Sequence, residues 1–194
     1  ARLVAELFLD ELLRNGTTTA LAIATVHPPS VDAFFTAART RRMRMICGKV
    51  LMDRNAPEYW TDTPQTGYRE SKELIERWHG KGRLSYAVTP RFAPTCSDEQ
   101  LAKAGQLLRE HPDIYLHTHL AENLDEVKWV KELFPHFSVY LDVYDRFGLL
   151  GNHSIFAHCI HLNDEDFEFI RLLNMIDDTF KQFLFGESKY PCIT

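Results

Sequence analysis

Apolar residues recur along the chain in two alternating patterns, one typical of strands and one with helical spacing. Five segments rich in β-branched and small apolar residues predict strands, and the segments between them, with apolar residues three or four positions apart, predict helices. The predicted strands cover residues 17–26, 43–52, 83–89, 115–120 and 153–162. The predicted helices cover residues 1–14, 30–42, 67–79, 97–110, 123–134 and 139–147, and a last helix follows residue 163.

Three segments carry more specific expectations. The first strand, residues 17–26, contains no charged residue, which predicts burial on both of its faces. Ser30 stands where it would act as the N-cap of the second helix. Residues 54–66 contain Pro57 and Pro64 on either side of two aromatic residues, which predicts a long loop of the kind that often carries function.

The order of the predicted elements indicates a fold class. Strands and helices alternate five times, and no hairpin signal joins two strands directly, so we predict an α/β protein with one domain built on a parallel sheet. This pattern fits either a doubly wound sheet or part of a (β/α)8 barrel. About five parallel strands are visible, and a complete barrel therefore does not fit in the chain. In both architectures, functional residues lie at the carboxyl ends of the strands.

Composition disfavours several classes of protein. Of the 194 residues, 45% are hydrophobic and 25% charged, and no apolar run approaches the roughly 20 residues of a membrane span. The formal charge of −5 disfavours a nucleic-acid-binding surface. Four cysteines without a CxxC pair indicate reduced thiols in a cytoplasmic protein. The first residues do not resemble a signal peptide, and the missing initiator Met predicts that the chain begins inside a longer protein.

The segment from Tyr115 to Asn123 combines a strand with three reactive side chains. Because side chains alternate across a strand, His117 and His119 are predicted to share one face, and Glu122 follows where the strand gives way to a loop. A neutral imidazole at a strand end is a common zinc ligand, and a nearby carboxylate can transfer the proton of a zinc-bound water. The alternative is that the histidines are hydrogen-bonded strand residues and Glu122 starts the next helix.

Polar residues also follow the other predicted strands, namely His27, Asp53, Arg91 and His158. Arg91 can present a planar fork to a carbonyl or ring nitrogen, with Phe92 beside it as a stacking face; the alternative is an ordinary surface arginine. His158 is a candidate second ligand, or a hydrogen-bond donor to an attacking water.

Several of these segments together resemble the guanine deaminase family of the amidohydrolase superfamily. They are Thr89-Pro90-Arg91-Phe92, the HLAENLDEV run from His119, Val143-Tyr144-Asp145 and Ala157-His158-Cys159, with further likeness in GTTT from Gly16 and GKVLMD from Gly48. TPRF followed by HLAEN is specific to this family within the superfamily. The resemblance covers residues 1–168, predicted as a partial amidohydrolase barrel, whereas residues 169–194 are predicted to be a tail that does not match.

This resemblance implies a zinc (β/α)8 barrel of the metal-dependent hydrolase type that hydrolyses guanine to xanthine and ammonia in purine catabolism. It implies one zinc ion per complete site, with His119 as a ligand that also borders the substrate, and Glu122 as the proton shuttle. Arg91 and Phe92 are implied to bind the purine, and His158 to lie near the water and the substrate. His117 is given a structural role. Related enzymes imply a homodimer.

The same resemblance implies zinc ligands that this chain lacks. The family's first-strand His-x-His would precede Leu3, and its eighth-strand Asp would follow His158, so we expect an incomplete portion of the enzyme. Two alternatives remain: a non-catalytic α/β fragment or interaction module, and an amidohydrolase that acts on another heterocycle. A zinc deaminase of the cytidine type is excluded, because the HxE and PCxxC signatures are absent.

Overall fold

The computed structural model describes residues 1–172, which form one parallel sheet packed against helices. The helices are α1 (Arg2–Arg14), α2 (Pro28–Thr40), α3 (Pro64–Trp78), α4 (Asp98–Glu110), α5 (Leu124–Leu133), α6 (Tyr140–Arg146) and α7 (Asp164–Leu172). The strands are β1 (Thr19–Ile23), β2 (Arg44–Gly48), β3 (Val50–Leu51), β4 (Leu84–Pro90), β5 (Tyr115–Leu120) and β6 (Ser154–His158). All five predicted strands are present, the second as two segments.

Strand order decides between the two architectures that the sequence left open. The order is β1-β2-β4-β5-β6, all pairs are parallel, and β3 extends the second strand position beside β4. A doubly wound sheet reverses direction at a switch point, whereas here each strand lies beside its predecessor in the chain. The described residues therefore form a half-barrel of five parallel strands, as the family resemblance implied.

Lys49 divides the second strand into β2 and β3. Its side chain is fully buried, forms an ion pair with Asp62, and places Nζ 3.4 Å from Glu70 Oε2. Its backbone N–H donates to the Tyr86 hydroxyl at 3.2 Å instead of continuing a regular ladder. Burial raises the pKa of Asp62, and the Lys49 ammonium opposes this shift. Removing either partner would therefore leave the other as an unpaired buried charge. The pairing fastens the loop after β3 to α3.

Two local expectations were wrong. Strand β1 is not buried on both faces, since the Ile23 side chain is 43% exposed. Within residues 1–172 this strand pairs with β2 alone. An apolar strand is buried only where neighbouring elements cover it, and its own sequence does not show whether they do. Helix α2 begins at Pro28, before Ser30, with His27 as N-cap. Ser30 lies in the first turn of the helix, and its hydroxyl donates to the His27 carbonyl at 2.8 Å.

The core lies between the sheet and the helices. On β5, Leu116 and Leu120 belong to it, so the opposite face of the strand carries His117 and His119.

No helix within residues 1–172 has the length and apolar character needed to cross a membrane. The predicted boundary at residue 168 falls inside α7, and residues 173–194 lie outside the described residues, so the unmatched tail stays a prediction.

Gly48 permits the close approach of β2 to β4. A Cβ at this position would lie 1.7 Å from the Ala87 carbonyl oxygen, which belongs to the backbone of a paired strand and cannot rotate away. We expect Gly48→Ala to lower the free energy of unfolding by about 3 kcal/mol, measured by urea denaturation followed by circular dichroism.

Gly151→Ala is the matched control, because a Cβ there meets nothing within 4 Å. Its free energy of unfolding should change by less than about 0.5 kcal/mol. Equal losses in the two variants would contradict the steric explanation.

Candidate functional site

The carboxyl ends of β4, β5 and β6 bring together the residues predicted from the sequence. Arg91 follows β4, His119 lies one residue before the end of β5, Glu122 follows β5, and His158 ends β6. The imidazoles of His119 and His158 are stacked, with centroids 5.3 Å apart, and His158 Nε2 lies 3.6 Å from Glu122 Oε2. These groups therefore form one cluster at one edge of the sheet.

Hydrogen bonds to one carbonyl orient His119. Its backbone N–H donates to the Arg91 oxygen at 3.1 Å, and Nδ1 lies 2.7 Å from the same oxygen. Because a carbonyl only accepts, Nδ1 carries a proton, and in the neutral form of the ring the lone pair is therefore at Nε2. Metal-binding histidines characteristically make this second contact, so His119 fits the role of a metal ligand.

His117 lies on the same face as His119, as predicted. Their rings are nearly parallel, with centroids 6.5 Å apart, and His117 is buried. Burial, with a smaller contribution from His119, lowers the pKa of His117 to about 4. The ring is therefore neutral near pH 7 and adds no charge beneath the cluster.

A left-handed backbone brings His158 into the cluster. In the sheet register His158 is the partner of Leu120, whose side chain is in the core. A regular strand would point His158 toward the helices as well, but its φ is 75°, and its ring instead stacks on His119. Histidine adopts positive φ more often than most non-glycine residues, but such conformations are uncommon, so the residue type alone does not signal this turn.

Backbone hydrogen bonds between the ends of β5 and β6 hold this arrangement. Ala121 has φ of 50° and Cys159 has φ of 57°. The Cys159 N–H donates to the Leu120 carbonyl at 2.8 Å, and the N–H groups of Ile160 and His161 donate to the Ala121 carbonyl at 3.1 and 3.0 Å. Such connections maintain conformations that isolated residues would avoid.

The start of α5 places Glu122. Asn123 caps this helix by accepting from the Glu126 N–H at 2.9 Å, and the buried Glu126 carboxylate accepts from the Glu122 N–H at 3.2 Å. Glu122 therefore precedes the helix, and its side chain, 49% exposed, faces His158. The alternative that Glu122 starts the helix is wrong, and its role in the site stays a prediction.

Arg91 and Phe92 form an adjacent cation–aromatic pair. The Arg91 guanidinium carbon lies 5.0 Å from the Phe92 ring centroid, and Phe92 meets Trp129 of α5 edge to face at 6.3 Å. Arg91 is exposed, and its backbone N–H donates to the Leu51 carbonyl at 3.1 Å. Its backbone is held while its charged end is available, a combination that suits recognition of a polar, planar ligand.

Two other predicted strand-end residues are placed differently. Asp53 binds the backbone N–H of Ser97 at 2.7 Å and also the Ser97 hydroxyl, and so joins the loops after β3 and β4. His27 is exposed at the N-terminus of α2. Neither contact pattern resembles that of His119 or His158.

Tyr144 is the residue that sequence reasoning did not connect to the site. It is fully buried on α6, and its hydroxyl accepts from the Ala93 N–H at 3.1 Å and donates to the His119 carbonyl at 2.8 Å. The available signal was its apolar helix position, because a buried tyrosine must find hydrogen-bond partners.

The described residues contain no complete metal site. Among residues 1–172 no group of three or more His, Cys, Asp or Glu side chains is arranged to hold a metal ion. His119 thus fits as one ligand, and further ligands would have to come from outside this cluster.

Three comparisons with known proteins agree with the geometry. Guanine deaminase from Escherichia coli strain K12 is 58% identical over 168 residues, which are 87% of this chain and 38% of the relative. The solved E. coli structure gives a TM-score of 0.86 at 57% identity, covering 87% of this chain and 39% of that chain. Guanine deaminase from C. acetobutylicum, solved with guanine bound in the active site, gives a TM-score of 0.84 at 34% identity, covering 89% and 42%.

The chain spans about two-fifths of the length of the relatives it matches. The sequence model described as "Amidohydrolase family" matches residues 1–187, which is nearly the whole chain. Together with the half-barrel and its strand-end cluster, this match shows that the chain belongs to the amidohydrolase family.

Proposed function

We propose that this chain is a portion of a cytoplasmic guanine deaminase, which hydrolyses guanine to xanthine and ammonia in purine catabolism. The observation that carries the proposal is the meeting of His119, Glu122 and His158 beside the Arg91–Phe92 pair. Its support is the 58% identity to the E. coli enzyme over this same stretch. The family resemblance further supports a homodimer of the complete enzyme.

Arg91 and Phe92 would hold the purine. The guanidinium has five N–H donors in a plane and matches the carbonyl oxygen and ring nitrogen of guanine, while the aromatic ring offers a stacking face. Trp129 supports Phe92 from the side, so the stacking face is held in place. This arrangement would fix the purine relative to His119 and Glu122.

Glu122 would move the proton. One water adds to the purine carbon that bears the amino group, and that C–N bond breaks as ammonia leaves. A carboxylate that lies between the water and the purine can accept a proton from the water and deliver it to the purine. His158, 3.6 Å from Glu122, would donate a hydrogen bond to the water or to the substrate.

His119 would hold zinc through Nε2, together with ligands from outside the cluster. A bound zinc ion supplies a Lewis acid that makes water a better nucleophile near neutral pH. The role of this chain is to fix the tautomer of His119 through the Arg91 carbonyl. His117 stays neutral beneath it as a structural residue.

A chimera tests the proposal directly. The matching 168 residues of this chain would replace their counterpart in the E. coli relative, which supplies the remaining segments. We expect ammonia release from guanine with kcat/KM within about ten-fold of the parent enzyme, since differences of about 1.4 kcal/mol in transition-state binding correspond to this factor.

The control for this test is Glu122→Gln in the chimera. It should retain its metal content and lose turnover by about 10²–10⁴-fold, the range typical of a lost proton-transfer group. A folded, metal-loaded chimera that releases no ammonia would rule out guanine as the substrate that these residues serve.

Arg91 distinguishes guanine from other heterocycles. Loss of a charge-assisted hydrogen bond should raise the KM for guanine by about 10–100-fold in the Arg91→Ala chimera, measured by steady-state ammonia release. The matched control is Arg69→Ala, since Arg69 is an arginine 63% exposed on α3. Its KM should stay unchanged, and an unchanged KM for Arg91→Ala would favour an amidohydrolase of different substrate preference.

A further inference from the structure

The hydroxyl of Tyr144 connects the two functional segments of the site. It accepts from the N–H of Ala93, the residue directly after Phe92, at 3.1 Å, and it donates to the carbonyl of His119 at 2.8 Å. Thr118 Oγ1 is its third partner, at 3.2 Å, and lies 3.3 Å from the Arg91 carbonyl. One buried oxygen therefore touches the purine loop and the strand end that carries the proposed metal ligand.

These contacts match the capacity of the hydroxyl. A phenol has one proton to donate and two lone pairs with which to accept; here the proton goes to the His119 carbonyl, and the Ala93 N–H donates to one lone pair. The other lone pair faces Thr118, whose single proton goes either to Tyr144 or to the Arg91 carbonyl. Burial raises the pKa of Tyr144 far above its ordinary value, so the group stays protonated and remains a donor. The directions of the hydrogen bonds to Ala93 and His119 are thus fixed.

The ring is held as firmly as the hydroxyl. Tyr144 is fully buried, its ring centroid lies 5.5 Å from that of Tyr140 and 5.9 Å from that of Phe156, and α6 carries it into the core behind the sheet. A phenylalanine would fill the same volume. The hydroxyl is therefore not needed for packing, and what it adds is the connection between the two segments.

We propose that Tyr144 is a positioning residue that sets the Arg91–Phe92 pair in register with His119. This inference rests on the proposed function and extends it. The Tyr144 hydroxyl would keep the purine-binding pair at a fixed distance from His119. Without the hydroxyl, the Ala93 N–H and the His119 carbonyl lose a buried partner. The loop then moves to find other partners, and the Arg91 carbonyl no longer holds the His119 ring as firmly.

Tyr144→Phe in the chimera tests this role, with Tyr86→Phe as the matched control. Tyr86 is a fully buried tyrosine on β4, and its hydroxyl accepts from the backbone N–H of Lys49 at 3.2 Å. Tyr144→Phe should raise the KM for guanine and lower kcat, with kcat/KM reduced about ten-fold or more, which corresponds to the loss of a buried hydrogen bond. Tyr86→Phe also removes a buried hydroxyl, but it should change kcat/KM less than about two-fold.

A second measurement does not depend on turnover. In the purified 194-residue chain, imidazole nitrogen NMR shifts report the tautomer of His119, and amide hydrogen exchange reports the Ala93 N–H. Tyr144→Phe should mix the His119 tautomers and speed exchange at Ala93, whereas Tyr86→Phe should do neither. If the parent chimera shows no guanine turnover, the proposed function fails, and this measurement still decides the role of Tyr144.

Thr118→Val is the second variant, used if Tyr144→Phe does not fold. It removes the hydroxyl between Tyr144 and the Arg91 carbonyl at nearly constant volume, and it should shift kcat/KM and the Ala93 exchange rate in the same direction. Unchanged kinetics together with an unchanged His119 tautomer, or equal changes in the Tyr144 and Tyr86 variants, would overturn the positioning role.

Discussion

The main-chain carbonyl of Arg91 accepts from both the backbone N–H and Nδ1 of His119, and the geometry of the site depends on this contact. The oxygen belongs to the segment that carries the proposed purine-binding pair, and the imidazole belongs to the next strand. Parallel pairing of β4 and β5, with Val88 opposite Leu116, brings the two together at the same edge. A side chain is thereby oriented by backbone, which has far fewer alternative positions than another side chain.

The site also contains backbone strain that the surrounding hydrogen bonds maintain. Left-handed conformations at Ala121, His158 and Cys159 cost on the order of 1–3 kcal/mol each in the absence of compensating contacts. Three N–H groups of residues 159–161 donate to carbonyls at the end of β5, which offsets part of that cost. The result is that His158 faces His119 instead of the core. The left-handed backbone at the end of β6 thus determines where the His158 ring lies.

Much of the architecture could be predicted because it depends on local chemistry. The strand and helix order followed from periodicity, and the shared face of His117 and His119 followed from the two-residue repeat of a strand. One difference arose because distant residues compete with local preference: Lys49 interrupts the predicted strand, and its buried ammonium pairs with Asp62 and lies near Glu70. The error at Ser30 was local, because Pro28 already starts the helix and Ser30 falls in its first turn.

By itself, the sequence determined the α/β alternation, the location of polar residues at strand ends and the family resemblance, since each is written in neighbouring residues. Only the tertiary structure decided the sequential strand order, the tautomer of His119, the inward turn of His158 and the bridging role of Tyr144. These features depend on atoms that lie tens of residues apart in the chain. The distance between His119 and Arg91, or between Tyr144 and Ala93, is set by packing of the whole sheet against its helices, and no local pattern encodes it.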